Sequence, residues 1–230
     1  MQNGIVPGLY LINLGFVNAY LLEGKDGLIL VDTGIPGSPE KILEAVRSLG
    51  KQPADVKHIL VTHLHGDHTG SLAALKQATG APAYMHPLDA ALVRQGQSSR
   101  PVQHAPGLFN TLMSAMMARR EPVPIEPAET EHELHDDQTL DIVEDLRVFH
   151  APGHAAGQVV FLLPKHGGIL IAADTCGNIM GLGLPPIFED LKVGLHTLKK
   201  LAALDFEVAV FGHGKPMPSG AAQRFRKKWG

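Results

Sequence analysis

The segment His63-Leu64-His65-Gly66-Asp67-His68 constrains this chain more than any other feature of its sequence. Four side chains able to bind a metal ion fall within six residues, and Gly66 permits the tight turn that lets them converge. Zinc takes imidazole nitrogen, carboxylate oxygen or thiolate ligands, and a catalytic site keeps one position open for water. A single ion cannot easily accept all four side chains. Two ions can share them if the loop turns His63 and His65 to one side and Asp67 and His68 to the other. Residues 57–62 (KHILVT), directly before the loop, read as the buried strand that would carry it.

Two such ions need further ligands, and three positions qualify. His154 lies in a turn held by Pro152 and Gly153, just after a strand expected over residues 146–150. Asp174 ends the apolar run 168–173, where a buried carboxylate is costly unless it is paired or binds metal. His213 sits in Phe-Gly-His-Gly, again at the end of an apolar strand. Every candidate follows a strand, as ligands gathered along one rim of a sheet would.

The periodicity supplies those sheets. Residues 8–13, 17–22 and 27–32 are short apolar runs separated by Gly, Asn and Asp, so they predict strands. A helix is predicted after Ser38 as its cap, with Pro39 in its first turn, Ile42, Leu43, Val46 and Leu49 on one face and Gly50 as its stop. Helical spacing returns over 69–79, and 83–86 predicts a strand. Strands are expected again at Leu134 and over 146–150, 158–163 and 168–172. A helix over 190–204, a strand over 207–211 and a last helix after Pro218 complete the chain. Strands early and helices late in each half suggest two sheets packed face to face, covered outside by helices.

Residues 87–127 break this pattern. They are rich in Pro, Gln, Arg and Ser around one clear helix, in which Leu108, Phe109, Leu112, Met113, Met116 and Met117 form an apolar stripe. We read this segment as a cap inserted into a single domain spanning 1–230. With the apolar loop 178–187 it is expected to form a substrate pocket lined by Phe109, Met113, Met117 and Asn178. Core packing is the competing expectation for the stripe.

In order and spacing, HxHxDH at 63–68, Pro152-Gly153-His154, Asp174 and Gly212-His213-Gly214 resemble the motif set of the metallo-β-lactamase superfamily. Val31-Asp32-Thr33-Gly34 resembles that family's first motif. The resemblance implies an α+β fold, a four-layer αββα sandwich with a dinuclear site at its edge. It implies that His63, His65 and His154 hold one ion and Asp67, His68 and His213 the other, with Asp174 bridging them and Asp32 as a structural support. The expected cofactor is two zinc ions, with iron or manganese also compatible. The implied activity is hydrolysis of a carboxylic ester, lactone or thioester by a metal-bridging hydroxide, with Asp67 orienting it or relaying a proton.

Overall organisation resembles the glyoxalase II-like and lactonase-like members. Seventeen residues follow His213, so a C-terminal glutathione-binding domain is not expected. His65 stands where the di-iron flavoproteins of the superfamily have Glu, and true β-lactamases lack an Asp at the position of Asp174; both branches are disfavoured. A mononuclear iron persulfide dioxygenase, using His63 or His65 with His154 and Asp174, is the alternative from another class. An RNase Z-like phosphodiesterase is weaker, because a net charge of −3 gives no basic footprint for nucleic acid.

Composition adds limits. One cysteine, Cys176, excludes an intramolecular disulfide, and we assign it no nucleophilic role. The first Lys or Arg is Lys25, so no charged leader is expected, and no apolar run reaches about 20 residues. The expectation is a cytoplasmic enzyme with a small-molecule acyl substrate and neither nucleic acid nor membrane as partner; a homodimer is left open. The other eight of thirteen histidines have no ligand spacing, although His86, after a strand and before Pro87, is the best placed.

Overall fold

The computed structural model describes residues 4–117 and 124–230, and the side chains of Phe109, Met116 and Met117 lie outside those described. Strands Leu9–Asn13, Asn18–Glu23 and Leu28–Val31 pair antiparallel in sequence order. The chain then crosses through helix Pro39–Ser48 to strand Val56–Leu60, and through helix Leu72–Thr79 to Ala83–Met85. These strands, with His132–Glu133 at the edge, add in parallel to make a six-stranded sheet. The second sheet has five strands, ordered Val208–Val210, Ile169–Ile171, Val159–Leu163, Leu146–His150 and Thr139–Leu140. Only its first pair is parallel.

Alternation along the strands produces three apolar layers. Tyr20 and Leu22 point inward with Val159, Phe161 and Leu163 of the other sheet, forming the core between the sheets. Their neighbours Ala19 and Leu21 point outward onto Ile42, Val46, Leu72 and Leu75 of the two crossover helices. On the far side Val160, Leu170 and Ala209 pack against Leu198 and Leu201 of helix Leu191–Ala202 and Phe225 of helix Ala221–Trp229. Helix, sheet, sheet, helix is the expected α+β sandwich.

Local expectations fare unevenly. Asp190 caps its helix, its Oδ1 accepting from the Val193 amide at 3.0 Å. Ser38 stands before its helix but makes no side-chain cap; its own amide bonds Ile35 O and Ser71 Oγ, and its φ of −80° already lies in the helical region. The helix expected over 69–79 begins only at Leu72 and runs to Thr79, while Thr69 ends a separate short helix, Gly66–Thr69.

The segment after His86 carries two helices among the described residues rather than one. Pro87–Val93 precedes Leu108–Met117, with the His86 ring accepting from the Leu88 amide and Pro87 in the first turn. Gln103–His104 pairs antiparallel with Ile187–Phe188, so the segment after His86 is joined to the end of the 178–187 loop. In the apolar stripe Leu108 is 89% and Leu112 62% exposed, while Met113 is half-buried. Core packing does not account for these leucines.

Candidate metal centre

The seven predicted ligands come from four separate segments that follow strand ends, and they meet in one place. His63 Nε2 lies 3.1 Å from His65 Nδ1, which lies 2.9 Å from His154 Nε2. The outer bonds of these rings fix what the inner atoms can be. The Thr62 hydroxyl donates to Asp32, so His63 Nδ1 donates to Thr62 Oγ1 at 3.0 Å and leaves Nε2 a lone pair. His154 Nδ1 donates to Ile187 O at 2.9 Å, leaving its Nε2 a lone pair as well. Burial, assisted by neighbouring imidazoles, pushes His63 well below its ordinary value and His65 to about 3. Burial also lowers His154. Three neutral rings therefore aim at one point, and His65 Nδ1 can donate to only one of the other two. Such a set fits a cation better than it fits itself.

A second pocket adjoins the first. His68 Nδ1 donates to Asp32 Oδ2 at 2.8 Å, and its Nε2 faces Asp174 Oδ1 at 3.6 Å and Asp67 Oδ2 at 4.0 Å. His213 Nδ1 donates to Phe16 O at 2.7 Å, and its Nε2 lies 3.0 Å from Asp174 Oδ2 and 3.3 Å from Asp67 Oδ2. Asp174 Oδ2 also lies 3.5 Å from His154 Nε2, so this carboxylate touches both pockets. His68 Nε2 and Asp174 Oδ1 are buried without a hydrogen-bond partner, as are the atoms of a metal site considered without its metal. Among the described residues three ligand groups satisfy metal-like spacing: His63, His65 and His154; His63, His68 and Asp174; Asp67, His68 and His213.

Charge in the second pocket opposes burial. Burial alone would lower His213, but Asp174 and Asp67 prevail and raise it to about 10. Burial would lower His68 too, yet Asp174, Asp32 and Asp67 hold it well above its usual value. Asp174 itself is pressed down by His213 and His68 against the effect of burial.

Backbone conformation sustains the convergence. Asp32 and Ala173 hold φ of 60° and 47°, uncommon for residues other than glycine. Asp32 accepts from the Thr62 amide and hydroxyl besides His68, and both the Thr33 amide and hydroxyl donate to His68 O at 2.7 Å. Gly212 is needed for space: a Cβ there would sit 1.9 Å from Asp174 Oδ1 and 2.7 Å from His68 Cε1.

Residues 12–213 match the family model described as the metallo-beta-lactamase superfamily. The chain belongs to the metallo-beta-lactamase superfamily. It is 32% identical over 163 residues to the uncharacterized protein YobT of Bacillus subtilis, covering 69% of this chain and 61% of that protein. It is 27% identical to thioesterase pkgB of Emericella nidulans, over 92% of this chain and 49% of that one. The chain thus spans only about half to three fifths of the length of several curated relatives it matches. Among solved structures, the class B3 di-zinc metallo-beta-lactamase LRA-12, from an Alaskan soil metagenome, aligns with a TM-score of 0.73 at 24% identity, covering 99% of this chain and 90% of that one. That likeness shows the fold.

Within this superfamily site, several residues were not singled out from sequence. Asn18 Nδ2 donates to Phe211 O and Gly214 O, and the Tyr20 hydroxyl donates to Phe211 O while accepting from its amide. Both brace the His213 loop. Phe16 stacks on the His213 ring at 5.9 Å, yet is 60% exposed. Asp89, fully buried, accepts from the Leu64 and Gly157 amides and pairs with Arg100. Of the expected pocket residues, Asn178 donates its side-chain amide to Lys215 O and its backbone amide to His213 O. The Phe109 and Met117 side chains lie outside those described. Cys176 is buried, and burial pushes its thiol up, away from nucleophilic ionisation. His86 stacks on His150 at 4.2 Å. Among the described residues no helix is long and apolar enough to cross a membrane.

Proposed function

We propose that the chain is a two-metal hydrolase that cleaves a carboxylic ester, lactone or thioester of a small acyl compound. The observation that carries this reading is the pair of adjoining pockets, three neutral imidazoles in one and two carboxylates with two imidazoles in the other. His63, His65 and His154 would hold one ion, Asp67, His68 and His213 the other, and Asp174 both. The nitrogen and oxygen donors suit zinc and are also compatible with iron or manganese. Bound there, two divalent ions supply Lewis acidity toward a carbonyl oxygen and acidify water to a pKa of roughly 7.

The chain's own groups do the rest. Asp67, a quarter of whose side chain is exposed, faces the second pocket and is placed to orient water and to pass a proton to the leaving group. Asp32, Ile187 O and Phe16 O accept from Nδ1 of His68, His154 and His213, which would leave each Nε2 to the metal. Beside His213, exposed Phe16 and the exposed Ile179, whose backbone packs on Gly214, give the mouth an apolar rim. That rim suits an acyl chain better than a polyanionic phosphodiester, and the thioesterase pkgB name points the same way.

The test is metal content together with initial rates on an acyl-homoserine lactone, S-lactoylglutathione and a phosphodiester. Two zinc ions per chain and preferential acyl cleavage are expected, and His154→Ala and Asp174→Ala should lose metal and turnover together. A single iron per chain without hydrolysis would replace this reading with the dioxygenase one.

A further inference from the structure

Arg100 lies in the segment between the two halves of the sandwich, well away in sequence from every predicted ligand. Its Nη1 donates to Asp89 Oδ1 at 2.7 Å and to Glu189 Oε1 at 3.1 Å, and its Nη2 to Leu88 O. Each carboxylate uses its remaining capacity on a loop of the first metal pocket. Asp89 Oδ2 accepts at 3.0 Å from the amide of Leu64, the residue between His63 and His65. Asp89 Oδ1 accepts at 3.0 Å from Gly157, and Glu189 Oε2 at 2.9 Å from Ala156, both just after His154. The Glu189 amide in turn donates to His154 O. Gly157 is the only residue that fits there, since a Cβ would fall 2.5 Å from Asp89 Cγ.

The second pocket has other braces: Asp32 and Thr33 on His68, Phe16, Asn18 and Tyr20 on the His213 loop. We infer that Arg100 is a positioning residue that clamps Asp89 and Glu189 together and so sets the spacing of His63, His65 and His154, but not of Asp67, His68 and His213. Without the guanidinium, Asp89 is a buried charge with no countercharge, and it must take up a proton, admit water or move. Each of these weakens its hold on Leu64 and Gly157. The inference rests on the two-metal reading for its metal arm and on the fold alone for its second arm.

The experiment compares wild type, Arg100→Met and Arg100→Lys by zinc titration against a competing chelator, and by amide hydrogen exchange on the metal-free proteins. In Arg100→Met, the affinity of one of two zinc ions should fall about 10- to 100-fold while the other stays unchanged. Exchange should quicken at Leu64, Ala156 and Gly157 but not at His68 or Gly214, with Arg100→Lys intermediate because an ammonium can replace Nη1 between the two carboxylates but not the Nη2 bond to Leu88 O that anchors it. Equal weakening of both ions, or unchanged exchange at those three amides, overturns the clamp. If Arg100→Met does not fold, Glu189→Gln carries the same comparison. Wild type that takes up fewer than two ions refutes the two-metal reading, while metal-free exchange still decides the clamp.

Discussion

Gly212→Ala separates the fold from the site. An alanine Cβ would stand 1.9 Å from Asp174 Oδ1 and 2.7 Å from His68 Cε1, where ordinary contact needs about 3.4 Å or more. The carboxylate must therefore retreat by about 1.5 Å, a distance set by that overlap. What it strikes is the end of a side chain, and Gly212 does not have the positive φ that disfavours other residues, so the backbone need not rearrange. Unfolding free energy should fall by about 1–3 kcal/mol, the usual cost of an overpacked site. The functional loss should be larger. Asp174 would leave His213, now 3.0 Å away, and His154, 3.5 Å away, so its reach to both pockets ends together. A misplacement of about 1 Å at a reacting centre can cost about 100-fold in rate. The assay is acyl-substrate turnover with zinc content after dialysis, read beside a denaturant melt. Gly50→Ala is the control: its Cβ meets nothing within 4 Å but its φ is 73°, so it should lose about 1 kcal/mol and keep metal and rate. Gly212→Ala protein that held two ions and turned over within about twofold of wild type would refute this account of the cradle.

Three further outcomes are expected. Because the carboxylates hold His68 and His213 protonated in the metal-free protein, zinc uptake near pH 7.5 should release about two protons, seen as a binding enthalpy that varies with buffer ionisation. The same raised His213 stabilises the metal-free fold fully below about 6.5, its ordinary value, and the contribution is lost as pH climbs through about 10; melting temperature should fall across that window, and a flat profile would contradict it. Tyr20→Phe strips the Phe211 amide of its partner in a buried setting and should cost about 1–3 kcal/mol in a urea melt; a loss under about 0.5 kcal/mol would show that another acceptor replaces the hydroxyl.

What could be read from sequence divides along the range of the interaction. HxHxDH is legible because four donors on one turn are a local pattern, and His154, Asp174 and His213 because each ends an apolar run. The sandwich is legible from period-two strands such as 158–163, whose alternate residues face two different cores. Helix Pro87–Val93 carried its own signs, with Pro87 in the first turn and Asp89 two residues later, obscured by the irregular composition that follows. Ser38 fails as a cap although its residue type is right, because capping requires extended backbone there and the Ile35 turn supplies a helical one.

The supporting residues were hidden for a different reason. A lone Asp89 and a lone Arg100 have no spacing to advertise, since their pairing exists only after the chain path brings 89, 100 and 189 to one point. Phe16 looks like any aromatic in a turn until its carbonyl is found on His213 Nδ1. Ligands must be chemically special, so their residue types betray them. The groups that aim ligands need only an acceptor or a donor in the right place, and here a backbone carbonyl of Phe16 or Ile187 serves as well as the carboxylate of Asp32. A backbone acceptor leaves no trace in sequence at all, so the tautomers of His154 and His213 were beyond sequence reading, whereas that of His68 was within reach once Asp32 was recognised.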